Sequence, residues 1–226
     1  SDSKEVLYFG TGGGGFVAMH AQTGATVWKR TFPREVVAEP VEHQGSVLVA
    51  CRDGILYAVR GAELGDPDAN LAWKSPAVGD MDAAPLVHDG VGYVGTGSGK
   101  LTAIDLSSGK LLWTAPVESQ VTGRAALAAG RLCVPTLAGA LVAVDRGTHE
   151  AAWKYPTEGP VRTSPVNGNG FMLIGSEDKW LHAVSDSGEL LWKCAATKPI
   201  VAAPALAGSK VYFGSDDQLL YSITLD

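Results

Sequence analysis

The chain has 226 residues and a net charge of −6, and its 28 glycines are about 12% of the sequence against a usual ~7%. Charged residues make up 19% and hydrophobic residues 46%, which provides enough apolar material for a core and excludes an intrinsically disordered chain. Because no window approaches ~18 consecutive apolar residues and no basic block exists, the sequence predicts neither a membrane span nor a nucleic-acid partner.

The first predicted element is a short apolar strand at Val6–Gly10. Gly12–Gly15 follows it and precedes a second strand, Phe16–Ala21. A phosphate-binding loop would require a helix after the glycines, so we interpret Gly12–Gly15 as a hairpin turn. Strands of the same kind recur at Val91–Gly95 and Phe171–Gly175.

Tryptophan marks a repeat of about 40 residues. Five tryptophans are separated by 45, 40, 40 and 39 residues, namely Trp28, Trp73, Trp113, Trp153 and Trp192. Alanine and proline keep the same spacing, at Ala18, Ala58, Ala103, Ala143 and Ala183 and at Pro40, Pro85, Pro165 and Pro204. A period of this length is typical of solenoids, propellers and arrays.

Each repeat contains four short strands joined by turns rich in Gly, Asp and Ser, which predicts one antiparallel sheet per repeat. The fold class is therefore all-β, a β-propeller of four-stranded antiparallel blades forming a single domain over residues 1–226. Counting strands gives 3, then four blades of 4, then 3, or 22 in all, which indicates about six blades with the first and last incomplete. We expect the two remaining strands upstream of Ser1, and self-association through the open blade edges.

One blade cannot bury both of its faces, so neighbouring blades must pack against each other. A large aromatic side chain at one fixed position per blade can cover much of that contact. We therefore interpret the five repeat tryptophans as structural residues that dock one blade on the next. Trp180 lies outside the series, and we expect it at the edge of a turn, partly exposed, as a possible interface residue.

The segment Val91–Trp113 resembles the repeat of the pyrroloquinoline-quinone-type, or quinoprotein-like, β-propeller family. The recurring pattern is A-x-D-x-x-(T/S)-G-x-x-x-W, and one repeat has His149 where glycine is usual. Within that family the chain is similar to the non-enzymatic branch of outer-membrane-assembly scaffold lipoproteins and bacterial sensor propellers. The resemblance implies a periplasmic or extracellular scaffold that recognises a protein or a small ligand.

The same family contains quinone- and calcium-dependent dehydrogenases, and a fragment of such an enzyme is the alternative function. Those enzymes have an adjacent-cysteine disulfide, whereas Cys51, Cys133 and Cys194 are isolated here. We interpret the three cysteines as small buried side chains without zinc-site spacing. No catalytic residue, no cofactor and no metal is assigned from the sequence, and any cofactor-binding residue is unknown.

Two further features resemble parts of binding sites. The insertion Gly61–Leu71 contains Asp66-Pro67-Asp68-Ala69-Asn70, which resembles the first half of a calcium loop but lacks the glycine and glutamate that complete it. We therefore interpret the insertion as an acidic surface loop. His43 and His88 both lie three residues after a repeat proline. Two interpretations are open: a pair of imidazoles that binds an anion or a metal, or two turn residues without a functional role.

Overall fold

The computed structural model describes residues 5–60, 70–168 and 170–225 of the chain. These residues form β-strands joined by turns, with no helix among them. The 22 strands lie in six sheets, of which the first and last have three strands and the other four have four. The predicted all-β class and the predicted distribution of strands are both confirmed.

Every sheet is formed by strands that are consecutive in sequence. The first two sheets contain β1 (Val6–Gly10), β2 (Gly15–His20) and β3 (Thr26–Thr31), then β4 (Val41–His43), β5 (Ser46–Ala50), β6 (Leu56–Arg60) and β7 (Leu71–Lys74). The third and fourth contain β8 (Leu86–His88), β9 (Val91–Gly95), β10 (Lys100–Asp105) and β11 (Leu111–Pro116), then β12 (Ala126–Ala128), β13 (Arg131–Thr136), β14 (Ala140–Asp145) and β15 (Ala151–Pro156). The fifth and sixth contain β16 (Val166–Asn167), β17 (Phe171–Gly175), β18 (Trp180–Ser185) and β19 (Leu190–Ala195), then β20 (Ala205–Ala207), β21 (Lys210–Gly214) and β22 (Leu220–Thr224).

Two compact units make up the chain. The first is Ser1–Thr96 with Thr102–Leu112, and the second is Gly97–Leu101 with Trp113–Asp226. Residues 66–69 of the segment that resembles a calcium loop lie outside the described residues, whereas its last residue is described. That last residue, Asn70, is fully buried and its carbonyl oxygen accepts the backbone N–H of Arg60.

The cores of both units lie between neighbouring sheets. In the first unit, Phe16 and Phe32 pack with Val47 and Tyr57, which joins the first sheet to the second. In the second unit the corresponding cluster joins the fifth sheet to the sixth through Leu173, Leu181, Ile200 and Phe213. In both clusters, neighbouring sheets bury apolar side chains against each other, as expected for a repeat protein.

The repeat alanine and the repeat tryptophan are partners across two adjacent strands. Four such pairs are present in the described registers, Ala18 with Trp28, Ala58 with Trp73, Ala143 with Trp153 and Ala183 with Trp192. In all four pairs the register shifts directly beyond the alanine, so the residue before the tryptophan is an extra residue, that is, a β-bulge. The two sequence periods therefore have one cause, because each alanine faces its tryptophan.

The repeat proline directly precedes the first strand of its sheet. Pro40, Pro85, Pro165 and Pro204 stand immediately before β4, β8, β16 and β20. Four residues before each proline, and before Ala125 in the fourth sheet, the chain carries a buried apolar residue, namely Val36, Met81, Val121, Val161 and Ile200. A buried apolar side chain thus lies shortly before the first strand of each of these sheets.

Candidate interaction site

Trp73 and Trp153 each pack against the turn that precedes the last strand of the following sheet. A Cβ built on Gly109 would lie 2.6 Å from Cε3 of Trp73, and one built on Gly188 would lie 2.7 Å from Cδ2 of Trp153. Both glycines have positive φ angles, 71° and 88°, a conformation that glycine adopts readily. Glycine is therefore favoured at this position for two reasons: the backbone has a positive φ, and the indole leaves no space for a Cβ.

The indole N–H groups of these two tryptophans add a hydrogen bond to the same turn. Trp73 Nε1 donates to the carbonyl oxygen of Leu106 at 2.9 Å, and Trp153 Nε1 donates to that of Asp186 at 2.9 Å. In both cases the acceptor lies 33 residues after the tryptophan. Each indole thus binds the next sheet through both its face and its N–H.

Trp113 meets a histidine in place of glycine. The His149 and Trp113 rings are stacked with their centroids 4.4 Å apart, and His149 has a φ of 61°. The departure from the repeat pattern at His149 is thus accommodated by ring stacking in the same location.

The remaining two repeat tryptophans differ from these three. Trp28 is buried, with the rings of Tyr8 and Phe16 against it. Trp192 lines an open cleft together with Phe171 and Leu225.

Trp180 is the first residue of β18 and follows a tight turn, with its side chain partly exposed. Its backbone N–H donates to Oδ1 of Asp178 at 3.0 Å, which fixes the start of the strand. The ammonium group of Lys193 lies 4.3 Å from the centre of the indole, within the range of a cation–π interaction. Trp180 and Lys193 therefore form a cationic and aromatic surface pair.

A chain of three polar side chains centred on buried His182 connects the fourth sheet with the fifth. His182 Nε2 lies 3.1 Å from Oδ2 of Asp178, and its Nδ1 lies 2.9 Å from the hydroxyl oxygen of Tyr155. Because a carboxylate only accepts hydrogen bonds, Nε2 carries the imidazole proton and Nδ1 accepts the proton of the Tyr155 hydroxyl. His182 is only 4% exposed, and both of its ring nitrogens have a hydrogen-bond partner.

Burial favours the neutral form of this histidine. Burial lowers the pKa of His182, and nearby Lys193 lowers it further, whereas attraction to Asp178, the hydrogen bond to it and the charge of Glu158 act in the opposite direction. Burial also raises the pKa of Tyr155, with a contribution from Asp178. The three side chains thus form a polar connection between the fourth and the fifth sheet.

Two other sheets carry a related pair that sequence reasoning missed. The hydroxyl of Tyr57 donates to Oδ2 of Asp53 at 2.5 Å, and that of Tyr221 donates to Oδ2 of Asp217 at 2.8 Å. Asp178 and His182 have the same separation of four residues across the same turn. An aspartate in the turn followed four residues later by Tyr or His is therefore a repeated signal, and the amino-acid sequence alone contains it.

The sequence-predicted histidine pair lies at strand ends. His43 and His88 are the last residues of β4 and β8, each directly before a turn. The imidazole Nε2 of His88 is 2.9 Å from a carboxylate oxygen of Asp89. Within the described residues no group of three or more His, Cys, Asp or Glu side chains is placed to hold a metal ion. The same part of the chain contains no helix long and apolar enough to cross a membrane.

Comparison with known proteins gives one family and several relatives. The family model described as outer membrane protein assembly factor BamB matches residues 1–154 and 158–226. An outer membrane protein assembly factor BamB from Yersinia pestis is 30% identical over 122 residues, which are 52% of this chain and 30% of that protein. The matched region thus spans less than a third of that relative.

Two solved structures share the fold. The crystal structure of BamB from Moraxella catarrhalis superposes with a TM-score of 0.82 at 22% identity, covering 96% of this chain and 66% of that one. The computationally designed Ika8 protein superposes with a TM-score of 0.84 at 16% identity, covering 100% of this chain and 70% of that one. The sheets described above are therefore blades of a β-propeller with pyrroloquinoline-quinone-type repeats.

Proposed function

We propose that this chain, which belongs to the outer membrane protein assembly factor BamB family, is a non-catalytic scaffold that binds proteins during outer-membrane assembly. The observation that carries the proposal is the match of the family model to residues 1–154 and 158–226. The Yersinia pestis relative has the same description and supports the same function. A fragment of a quinone-dependent dehydrogenase is not favoured by these relatives.

The proposed function places the chain in the periplasm, where proteins destined for the outer membrane are exposed to it. A scaffold requires a rigid framework and an accessible surface, and the packed sheets with their buried polar chain supply the first. Assigning the whole chain to one propeller domain, residues 1–226, belongs to the same proposal. Self-association through open blade edges is a further part of it.

We assign Trp180 to the protein-binding surface. Its indole is partly exposed and has the Lys193 ammonium against one face, and its backbone N–H donates to Asp178. Aromatic and cationic side chains of this kind are enriched where proteins contact each other. The repeat tryptophans have a different role, which is to dock each blade on the next.

Photocross-linking in cells tests this proposal. A photoreactive phenylalanine analogue at Trp180 should give adducts with proteins of outer-membrane assembly when the full chain is expressed in cells that have an outer membrane. The matched control is the same analogue at Glu189, which is exposed at the opposite end of the β18–β19 hairpin. Absence of adducts at Trp180, or the same adducts at both positions, would contradict the assignment.

A further inference from the structure

The turn between β17 and β18 carries a lysine in a backbone conformation that favours glycine. Lys179 directly precedes Trp180 and has a φ of 77°, which is the left-handed region. Its N–H donates to the carbonyl oxygen of Ser176 at 3.2 Å. Four other turns have the same bond to the carbonyl oxygen three residues earlier, with glycine in three and glutamine in one, namely Gly14, Gly54, Gly139 and Gln218. The fifth sheet therefore holds lysine where a glycine would relieve backbone strain.

A second lysine lies on the same surface as Trp180. Lys193 is exposed on β19, and its ammonium group is 4.3 Å from the centre of the Trp180 indole. In the register of the two strands, Trp180 pairs with Ala195 and His182 with Lys193, so Trp180 and Lys193 belong to one face of the hairpin. Lys179 is exposed as well. We call Lys179, Trp180 and Lys193 the lysine–tryptophan surface.

The two acidic residues that precede Lys179 are paired with groups of this chain. The side chain of Asp178 is only 4% exposed and accepts the backbone N–H groups of Trp180 and Glu158. Glu177 accepts a hydrogen bond from the guanidinium group of Arg162. Glu158 is a further exposed acid, and its charge acts on His182. The turn nevertheless presents two exposed ammonium groups beside a partly exposed indole, in a chain whose net charge is −6.

We propose that the lysine–tryptophan surface binds an acidic segment of a partner protein, in which carboxylates flank an aromatic side chain. The carboxylates pair with the ammonium groups of Lys179 and Lys193, and the aromatic ring packs on the part of the indole that Lys193 does not cover. The negative charge of the rest of the chain repels such a segment from other surfaces. The inference rests on the proposed function for the premise that Trp180 contacts protein, and it adds the chemistry of the partner.

The proposal also accounts for the strained turn. Residues in uncommon backbone conformations concentrate at functional sites, where another role compensates for the strain. At Lys179 that role is the ammonium group, which a glycine would not supply. Lysine at this place therefore trades stability of the turn for positive charge beside Trp180.

Three peptides with the same N-terminal dye test this chemistry. GEEFEEG should bind the full chain saturably in an anisotropy titration, and more weakly as NaCl rises from about 50 to 300 mM, because salt screens the charge pairs. GQQFQQG should bind at least about tenfold more weakly because it lacks the carboxylates. GEEAEEG should bind about fivefold more weakly because it lacks the ring.

Variants of the chain locate the site. Lys193→Gln and Lys179→Gly should each weaken binding of GEEFEEG about threefold to fivefold. The matched control is Lys110→Gln, an exposed lysine in a turn of the third sheet, which should leave binding unchanged. Lys179→Gly should at the same time raise the melting temperature by about 2–4 °C, because glycine is favoured at this φ. A change that stabilises the chain and weakens binding does not act through unfolding.

Several results would overturn the proposal. They are absence of saturable binding, equal binding of GEEFEEG and GQQFQQG, and an equal loss in the Lys110→Gln control. Binding to phosphatidylglycerol vesicles but not to GEEFEEG would assign the surface to a membrane and overturn it too. Cross-links at Trp180 in cells without peptide binding would reject the acidic segment and leave the proposed function intact, whereas peptide binding without cross-links would support the segment and reject that function.

Discussion

The imidazole of His149 is stacked on the indole of Trp113, with ring centroids 4.4 Å apart and planes 19° from parallel. Elsewhere the corresponding turn residue is glycine, as at Gly109 and Gly188, and the indole then covers the backbone itself. One structural role is thus filled by two chemically different residues. In each case the tryptophan contributes the large apolar surface of the contact.

Replacing Trp113 by alanine should lower the free energy of unfolding by about 3–5 kcal/mol, because it leaves a cavity between two sheets and removes the stacking with His149. The matched control is Trp180→Ala, which should cost less than about 1 kcal/mol because its indole contacts Lys193 of its own sheet, whereas Trp113 contacts His149 of the next sheet. Chemical denaturation followed by circular dichroism measures both. Midpoints in the reverse order would show that the repeat tryptophans do not dock the blades.

The contact between glycine and tryptophan can be separated from the backbone requirement. Gly130→Ala should lower the free energy of unfolding by about 1–2 kcal/mol, since Gly130 has a φ of 77° but no heavy atom within 4 Å of an added Cβ. Gly188→Ala should cost clearly more, about 3 kcal/mol or above, because its Cβ would meet Trp153. Equal losses in urea denaturation would mean that the indole moves aside without penalty.

The stability of the chain should decrease as the pH falls from 7.5 to 5. Burial lowers the pKa of His182 below its ordinary 6.5, so the unfolded chain binds a proton more readily than the folded one in this window. The stability due to neutral His182 is fully present above pH 6.5 and is lost as the pH falls, by at most about 2 kcal/mol at pH 5. Urea denaturation at several pH values measures this loss.

The control for that experiment is His182→Gln, whose amide can still bind Asp178 but does not titrate. The variant should have a flatter stability profile between pH 7.5 and 5 than the unaltered chain. The window stops at pH 5 because the carboxylates of the turns titrate below that pH. Asp105 is one of them, since hydrogen bonds from the Ser107 hydroxyl and from backbone N–H groups lower its pKa. Identical slopes for the two proteins would remove His182 as the cause.

Tyr155→Phe should lower the free energy of unfolding by about 1–2 kcal/mol, because it deprives buried Nδ1 of His182 of its hydrogen-bond donor. Combining it with His182→Leu should cost less than the sum of the two single changes, since both remove the same hydrogen bond. A double-mutant cycle in urea gives the coupling. Additive losses would indicate that the hydroxyl and the imidazole do not interact.

The sequence was sufficient for the strands and the period, because each strand is a short apolar run bounded by turn residues. The predicted segments Val6–Gly10, Val91–Gly95 and Phe171–Gly175 coincide with β1, β9 and β17. Gly12–Gly15 likewise lies at a hairpin, where the N–H of Gly14 donates to the carbonyl oxygen of Thr11. These features depend on local residue patterns alone.

The polar contacts between sheets could not be predicted in the same way. The bond between Tyr155 and His182 joins residues from different repeats, and locating it requires the offset between neighbouring sheets. The Trp192 cleft could not be predicted for the same reason, since its lining comes from two neighbouring sheets, namely from β17 and β19 and from the end of the last sheet. By contrast, the Asp53–Tyr57 pair is local and was overlooked because it occurs in only some repeats.

The bulge beside each repeat tryptophan has a consequence for how such arrays can be shortened or recombined. Successive side chains of a strand alternate between its two faces, so removing one residue reverses the facing of every position beyond it. Deleting Ala152 would remove the bulge but leave Trp153 opposite Ala143 and Ala151 opposite Val144, whereas deleting Lys154 would change the partner of every residue after it. A single-residue deletion is therefore expected to be accepted at the extra residue more readily than elsewhere in these strands, and related chains should differ in length at that place first.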